Sequence, residues 1–269
     1  MANKTVLGKN VQYPDQYSAS YLQAISRRPD QSEQVASILR SAFGEDVWVA
    51  YECSWLDEQG KPQGMVLQMK VPMASDRIVE SKSLKLYFNS FNMTVMSSQE
   101  AVLALIRQDI SACLGVPVAV TALLESASDR VLLTGTCLDD LDVSVTQYAQ
   151  PEPGMLRTGS DGTVSGTWYS HAFRSCCPVT GQPDWASVQI SWQGPDLDLT
   201  SLYCYLMAYR SHQGFHESCV DQIFVDLVAR FSPEVCQVSA QFLRRGGIEI
   251  NPWRSMGQTS GYQGPVWRQ

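Results

Sequence analysis

Gly60-Lys61-Pro62 returns 121 residues later as Gly181-Gln182-Pro183, SLKLYFNSF (83–91) returns after 118 as SLYCYLMAY (201–209), and Asp109-Ile110 returns after 117 as Asp226-Leu227. Three anchors in one order at nearly one offset mark a tandem repeat, and a repeat constrains the fold twice, because both halves must satisfy it. The local patterns agree. From Asp46 the residues alternate in strand fashion through VWVAYECSWL, turn over 58–62 and return through Met65 to Val71, which reads as a hairpin. After the segment 80–92 comes a helix over 98–114, with Val102, Leu105, Ile106 and Ile110 on one face, ended by Gly115 and Pro117. VPVAVTALL then reads as a strand. The second half repeats the order: strands around 181–183, helices from about 199 and about 215, and a strand over 236–243. The expectation is an α+β protein of two ββααββ modules, 45–125 and 167–269, joined by a loop-rich linker over 126–166. Residues 1–44 read as an N-terminal extension with one helix over 32–43, Val35, Ala36, Ile38 and Leu39 along one side.

Composition narrows the function classes. The polar opening MANKTVLGKN carries no apolar core of a signal peptide, and no apolar run approaches the roughly 18 residues that span a bilayer, so the chain reads as cytoplasmic, with no membrane partner. Twenty Lys+Arg against 27 Asp+Glu leave a formal charge of −7, which argues against nucleic acid as a partner. The eight cysteines are expected to be reduced thiols, and the absence of any C-x-x-C removes the strong structural-zinc signal.

The repeat is informative where it fails. Cys177 maps near Leu56 and Asp184 near Gln63, so the first module lacks a cysteine and an acid that the second carries in CCPVTGQPDW (176–185). Conversely, ESKS (80–83) faces only Asp198-Leu199-Thr200-Ser201. Each module keeps part of a site, which predicts a composite pocket between modules or between subunits. Cysteine acts as a nucleophile only as thiolate, so Cys177 needs a nearby base, a cation or a helix N-terminus. Of three histidines, His216 extends the apolar stripe of Val220, Ile223, Phe224, Leu227 and Val228 and so points inward, with Glu217 beside it. Each residue also has a plainer reading. Cys177 can be a buried structural thiol, Asp184 a turn residue, His216 a satisfied core histidine, and Glu217 an acid that complements the helix dipole. A Cys177–His216–Cys219 zinc set is a further alternative, and Cys219 could pair with Cys177 on oxidation.

ESKSLKLYFNSFN (80–92), SCCPVTGQPDWASVQI (175–190), GFHESCVDQI (214–223) and RRGGIEINPWR (244–254) together closely resemble the two-module 7-cyano-7-deazaguanine reductases, the nitrile reductases of queuosine biosynthesis, a tRNA modification pathway. The resemblance spans about residues 45–255, four motifs in the expected order. It implies a tunnelling fold, with ββααββ modules forming a barrel and helices outside, and a homodimer. It further implies two NADPH per nitrile reduced, no metal, Cys177 as the nucleophile giving a covalent thioimidate, Asp184 as the acid and His216 as a proton partner. Ile78, Val79, Glu80, Phe215, His216 and Glu217 would hold the 7-deazapurine, and Ser81, Lys82, Arg245 and Gly246 the NADPH. No G-x-G-x-x-G occurs, so a Rossmann site is not expected. Cys176 departs from what the motif needs and reads as packing. Two other classes stay open on the residues alone: a zinc-dependent purine- or pterin-handling hydrolase of the same fold, and a non-catalytic base-binding module.

Overall fold

Alternation drives the sheets. Ala186, Val188, Ile190 and Trp192 are buried at 1–2% exposure, while Ser187, Gln189, Ser191 and Gln193 occupy the intervening positions on the opposite face. Such a strand pins its own register, since a slip of one residue would turn four apolar side chains outward. The computed structural model describes residues 13–28, 31–124, 130–148, 150–257 and 260–269. In chain order its elements are β1 (Ala24–Ser26), α1 (Glu33–Arg40), β2 (Phe43–Leu56), β3 (Pro62–Pro72), β4 (Arg77–Val79), α2 (Ser81–Asn89), α3 (Gln99–Leu114) and β5 (Ala119–Ala122). The order continues with β6 (Thr136–Cys137), β7 (Thr158–Cys176), β8 (Pro183–Leu197), α4 (Leu199–Met207), α5 (His216–Phe231), β9 (Val235–Phe242) and β10 (Ile248–Met256).

The chain divides into two compact units. The first comprises 1–29, 46–128 and 244–249, and the second 30–45, 129–243 and 250–269. In the first, the strand order is β5-β3-β2, with β1 and β4 paired separately, Ile25 opposite Ile78. Val102, Ile106, Ile110 and Leu114 of α3 are buried, as a stripe of spacing three to four requires. Ser98 caps that helix by accepting from Ala101 N, and Gly115 ends it in the left-handed region at φ 76°. In the second unit the order is β10-β9-β8-β7-β6, antiparallel except for the β6/β7 pair. Among the described residues each unit is mixed α and β, and no sheet closes on itself. No described helix is long and apolar enough to cross a membrane.

The repeat is present in the hydrogen bonds. Tyr87 donates to Asp109 Oδ2 at 2.7 Å, and Tyr205 to Asp226 Oδ2 at 2.6 Å. Ser83 Oγ donates to Glu80 O, and Ser201 Oγ to Asp198 O, both at 2.7 Å. Glu80 and Asp198 both cap helices, accepting from Lys82 N at 2.9 Å and Thr200 N at 3.0 Å. The isolated bridge Leu56–Val95 has its counterpart in Cys176–Gln213. Gly60 and Gly181 turn the two hairpins at φ 77° and 68°.

Two features depart from the sequence reading. The N-terminal helix stops at Arg40 instead of Phe43, because Phe43 opens a 14-residue strand. Among the described residues the first unit has one strand after α3, β5, where two were expected. The last strand of the second module is β10, which includes Pro252 and pairs with β9 from Trp253–Ser239 onward. Of the stretches read as extension and linker, residues 1–12, 29–30, 126–129 and 149 lie outside the described residues, and β7 already begins at Thr158.

Candidate active site

The β7/β8 hairpin delivers Cys177. Cys176 lies opposite Pro183 and Ser175 opposite Asp184, so the chain must reverse over 177–182. Cys177 N donates to Gln182 O at 2.9 Å and Gly181 N to Cys177 O at 3.0 Å, closing a tight turn around the cysteine. Glycine takes the left-handed conformation needed at 181 without steric cost. Burial is the largest influence on the half-buried Cys177 thiol and raises its pKa. The Thr180 hydroxyl and the Thr180 and Val179 N–H groups pull it down, the Asp184 charge pushes it up, and the balance lies below the ordinary thiol value. The turn is thus a small nest of donors aimed at sulfur, which raises the thiolate fraction at neutral pH.

Asp184 sits on the inward face of β8, 4% exposed. It lies in β8, paired opposite Ser175, and not in the turn itself, where the plainer reading put it. His216 begins α5, and its Nε2 is 3.5 Å from Asp184 Oδ1. Its ring lies flat on Phe242, centroids 3.8 Å apart and planes 5° from parallel. Phe242 pairs with Ala186, two residues from Asp184 on the same face of β8, so strand register sets the stack. His216 Nδ1 is buried and has no hydrogen-bond partner among the described residues. This is not a saturated core histidine: one ring nitrogen meets a carboxylate and the other is unpartnered among the described residues. Phe215 occupies the N-cap of α5 without a side-chain capping bond, and the buried Glu217 lies in the first turn, where the helix dipole favours negative charge. The unit therefore brings together Cys177, Asp184, His216, Phe215 and Glu217.

Cys176 is buried, its Sγ 3.7 Å from Arg210 O. Cys219 is fully buried beside the Ser175 hydroxyl, and burial pushes its thiol up to about 12, so it stays protonated. A Cβ on Gly214 would come within 3.2 Å of that sulfur. Among the described residues all eight cysteines are free, and no group of three or more His, Cys, Asp or Glu is arranged to hold a metal ion. The Cys177–His216–Cys219 zinc set is thus not assembled.

The other anticipated residues lie in the first unit. Ile78 and Val79 are buried in β4. Glu80 is 2% exposed and caps α2, its carboxylate accepting from Lys82 N at 2.9 Å and Ser83 N at 2.7 Å. That structural role was not foreseen. Ser81 and Lys82 open α2, and Lys85, one turn on, ion-pairs with Glu52 at 3.3 Å. Arg245 and Gly246 form a turn closed by Arg245 N to Ile248 O at 2.9 Å. Gly246, at φ 57°, lies so close to Lys85 that a Cβ there would come 3.0 Å from Nζ. Lys85 thus links α2, which Ser81 and Lys82 open, to the Arg245–Gly246 turn. Sequence reasoning missed Thr180, Phe242 and Lys85; of these only Lys85, four residues after Ser81, carried a helical-spacing signal.

Comparison with known proteins follows the same division. Residues 13–122 match the family model described as "Nitrile reductase, 7-cyano-7-deazaguanine-reductase N-term", and residues 183–260 match "QueF-like protein". A relative from Chromohalobacter salexigens, named NADPH-dependent 7-cyano-7-deazaguanine reductase, is 46% identical over 252 residues, covering 92% of this chain and 90% of its own. A protein of the same name from Chromobacterium violaceum is 44% identical over 253 residues, covering 93% and 90%. One from Bordetella avium is 42% identical, covering 93% and 92%.

Proposed function

The chain belongs to the NADPH-dependent 7-cyano-7-deazaguanine reductases, and we propose that it carries out that family's nitrile reduction through a covalent adduct on Cys177. The lowered Cys177 thiol, half-buried in a turn whose amides face its sulfur, is the observation that carries the mechanism. The sulfur adds to the nitrile carbon: one C–S bond forms, one C–N π bond breaks, and the nitrogen takes a proton. Asp184, buried and electrostatically coupled to the thiol, is the donor of that proton. The resulting thioimidate is a more electrophilic carbon than the nitrile, which is why the covalent step lowers the barrier to reduction.

NADPH supplies hydride, two being needed for the four-electron change from nitrile to primary amine. Arg245, Gly246, Ser81 and Lys82 suit its phosphates, since they combine positive charge with a glycine at which backbone can approach closely, and Lys85 extends the set. After the carbon is first reduced, the Cys177 sulfur leaves as thiolate, stabilised by the Val179 and Thr180 donors, and His216, next to Asp184, relays the remaining protons. The carboxylates of Glu80 and Glu217 accept from the N–H donors of the guanine-like edge, with Ile78, Val79 and Phe215 as apolar neighbours. Exclusion of water protects the imine-level intermediates from hydrolysis.

The repeat and the four motifs support a tunnelling fold, with helices outside a barrel, and a homodimer. The net charge of −7 supports a free base as substrate, not nucleic acid, for this enzyme of queuosine biosynthesis. Mixing the protein with cyano base and NADPH should consume the absorbance of the reduced nicotinamide, and Asp184→Asn should slow that at least about 100-fold. Unchanged turnover by Asp184→Asn removes the acid from this scheme.

A further inference from the structure

Three guanidinium groups converge on one indole. Arg210, Arg268 and Arg174 hold their Cζ atoms 5.2, 5.4 and 5.9 Å from the Trp185 ring centre. Arg174 lies directly opposite Trp185 in the β7/β8 pairing, so their side chains share a face. That face is the reverse of the one carrying Asp184, because successive residues of β8 alternate. Two of the three are pinned by backbone carbonyls: Arg174 donates to Arg210 O at 2.5 Å, and Arg268 donates to His171 O. A guanidinium has five N–H donors, so both retain most of theirs.

None of the three makes an ion pair with a carboxylate among the described residues. Asp139, the acid whose charge is felt by neighbouring His171 and Tyr203, is already engaged with Ser170 Oγ at 2.6 Å and His171 N at 2.7 Å. Three uncompensated cations around one ring repel one another, and the indole face offsets only part of that. In a chain of net charge −7 such a cluster is conspicuous. Trp185 and all three arginines are partly exposed, so a solute can reach them.

We propose that Arg174, Arg210, Arg268 and Trp185 form a binding subsite for a phosphate-bearing anion, separate from the nitrile-reacting face of the hairpin. Planar guanidinium forks match tetrahedral phosphate oxygens, and three of them gathered around one indole place several forks within reach of a single anion. Arg174 lies three residues before Cys177, about 10 Å at the rise of a strand. That is within the span of a dinucleotide, so one source of the phosphate is NADPH itself, an assignment that rests on the reductase reading; the other is free phosphate or pyrophosphate, which does not.

Titration calorimetry of the full chain with inorganic pyrophosphate tests the subsite directly, and steady-state KM for NADPH distinguishes the sources. Arg210→Gln and Arg268→Gln should each weaken pyrophosphate binding about tenfold, and Arg→Lys at the same positions should recover only part of it. If KM for NADPH rises in parallel and pyrophosphate competes with it, the anion is the cofactor's; if KM is unchanged while pyrophosphate binding falls, it is a free anion. Pyrophosphate that fails to bind, or that binds the wild type and both glutamine variants equally, overturns the proposal. Cys177→Ala should bind pyrophosphate normally, so failure of the catalytic scheme and failure of the subsite give different results.

Discussion

Tyr87→Phe and Tyr205→Phe delete equivalent hydroxyls from the two repeats, but the deletions leave different debts. Asp109 accepts from both Tyr87 and Tyr17, each at 2.7 Å, and keeps one donor after the change. Asp226 is 8% exposed, and among the described residues its one side-chain donor is Tyr205. Burial raises the Asp226 carboxyl to about 6, against a lowering from the Tyr205 hydrogen bond. Because the folded value lies above the unfolded one of about 3.9, this group favours the fold most at low pH, and that contribution is lost as pH rises through about 6. Removing the Tyr205 hydroxyl raises the folded value further and enlarges the loss. A hydrogen bond to a charged group is worth roughly 1.5–3 kcal/mol, and residual solvent contact trims this to about 2 kcal/mol. Tyr205→Phe should therefore cost about 2 kcal/mol at about pH 8, a fall in Tm of about 4–8 °C, and about 1 kcal/mol at about pH 5. Tyr87→Phe should cost about 1 kcal/mol at both. Thermal denaturation followed by circular dichroism at the two pH values measures this. Equal, pH-independent shifts for the two variants would refute the reasoning.

The turn around Cys177 makes two further demands. Thr180→Val removes a donor to the sulfur and should slow alkylation of Cys177 by iodoacetamide at neutral pH about three- to tenfold, with Thr180→Ser near wild type; an unchanged rate would mean that the hydroxyl does not hold the thiolate. Gly181→Ala meets no atom within 4 Å, so its cost should be the left-handed strain alone, about 1 kcal/mol in chemical denaturation; a neutral result would show that the turn relaxes out of φ 68°.

Much of this architecture was legible in the residues because periodicity survives folding. The α3 stripe of Val102, Ile106 and Ile110, the glycine that ends it and the Gly60 and Gly181 turns lie where spacing puts them. The Tyr–Asp bonds explain why SLKLYFNSF and SLYCYLMAY, with their distant aspartates, repeat together. Other features depend on relations that a linear reading does not carry. Phe242 lies against His216 only because β9 pairs with β8 in one register, and Thr180 faces the Cys177 sulfur only once the turn has closed. Glu80 as a helix cap went unrecognised because serine, threonine, asparagine and aspartate are the usual caps. Arg210 and Arg268 are 25 and 83 residues from Trp185 in sequence, so nothing in their local context connects them to it.

The most direct measurement is intact-protein mass spectrometry of the chain mixed with 7-cyano-7-deazaguanine in the absence of NADPH. The account predicts a gain equal to one whole cyano base, since addition expels nothing, mapped by digestion to Cys177 and missing from Cys177→Ala, which should also lose reduction. Turnover that persists in Cys177→Ala, with no added mass on the wild-type thiol, would contradict it.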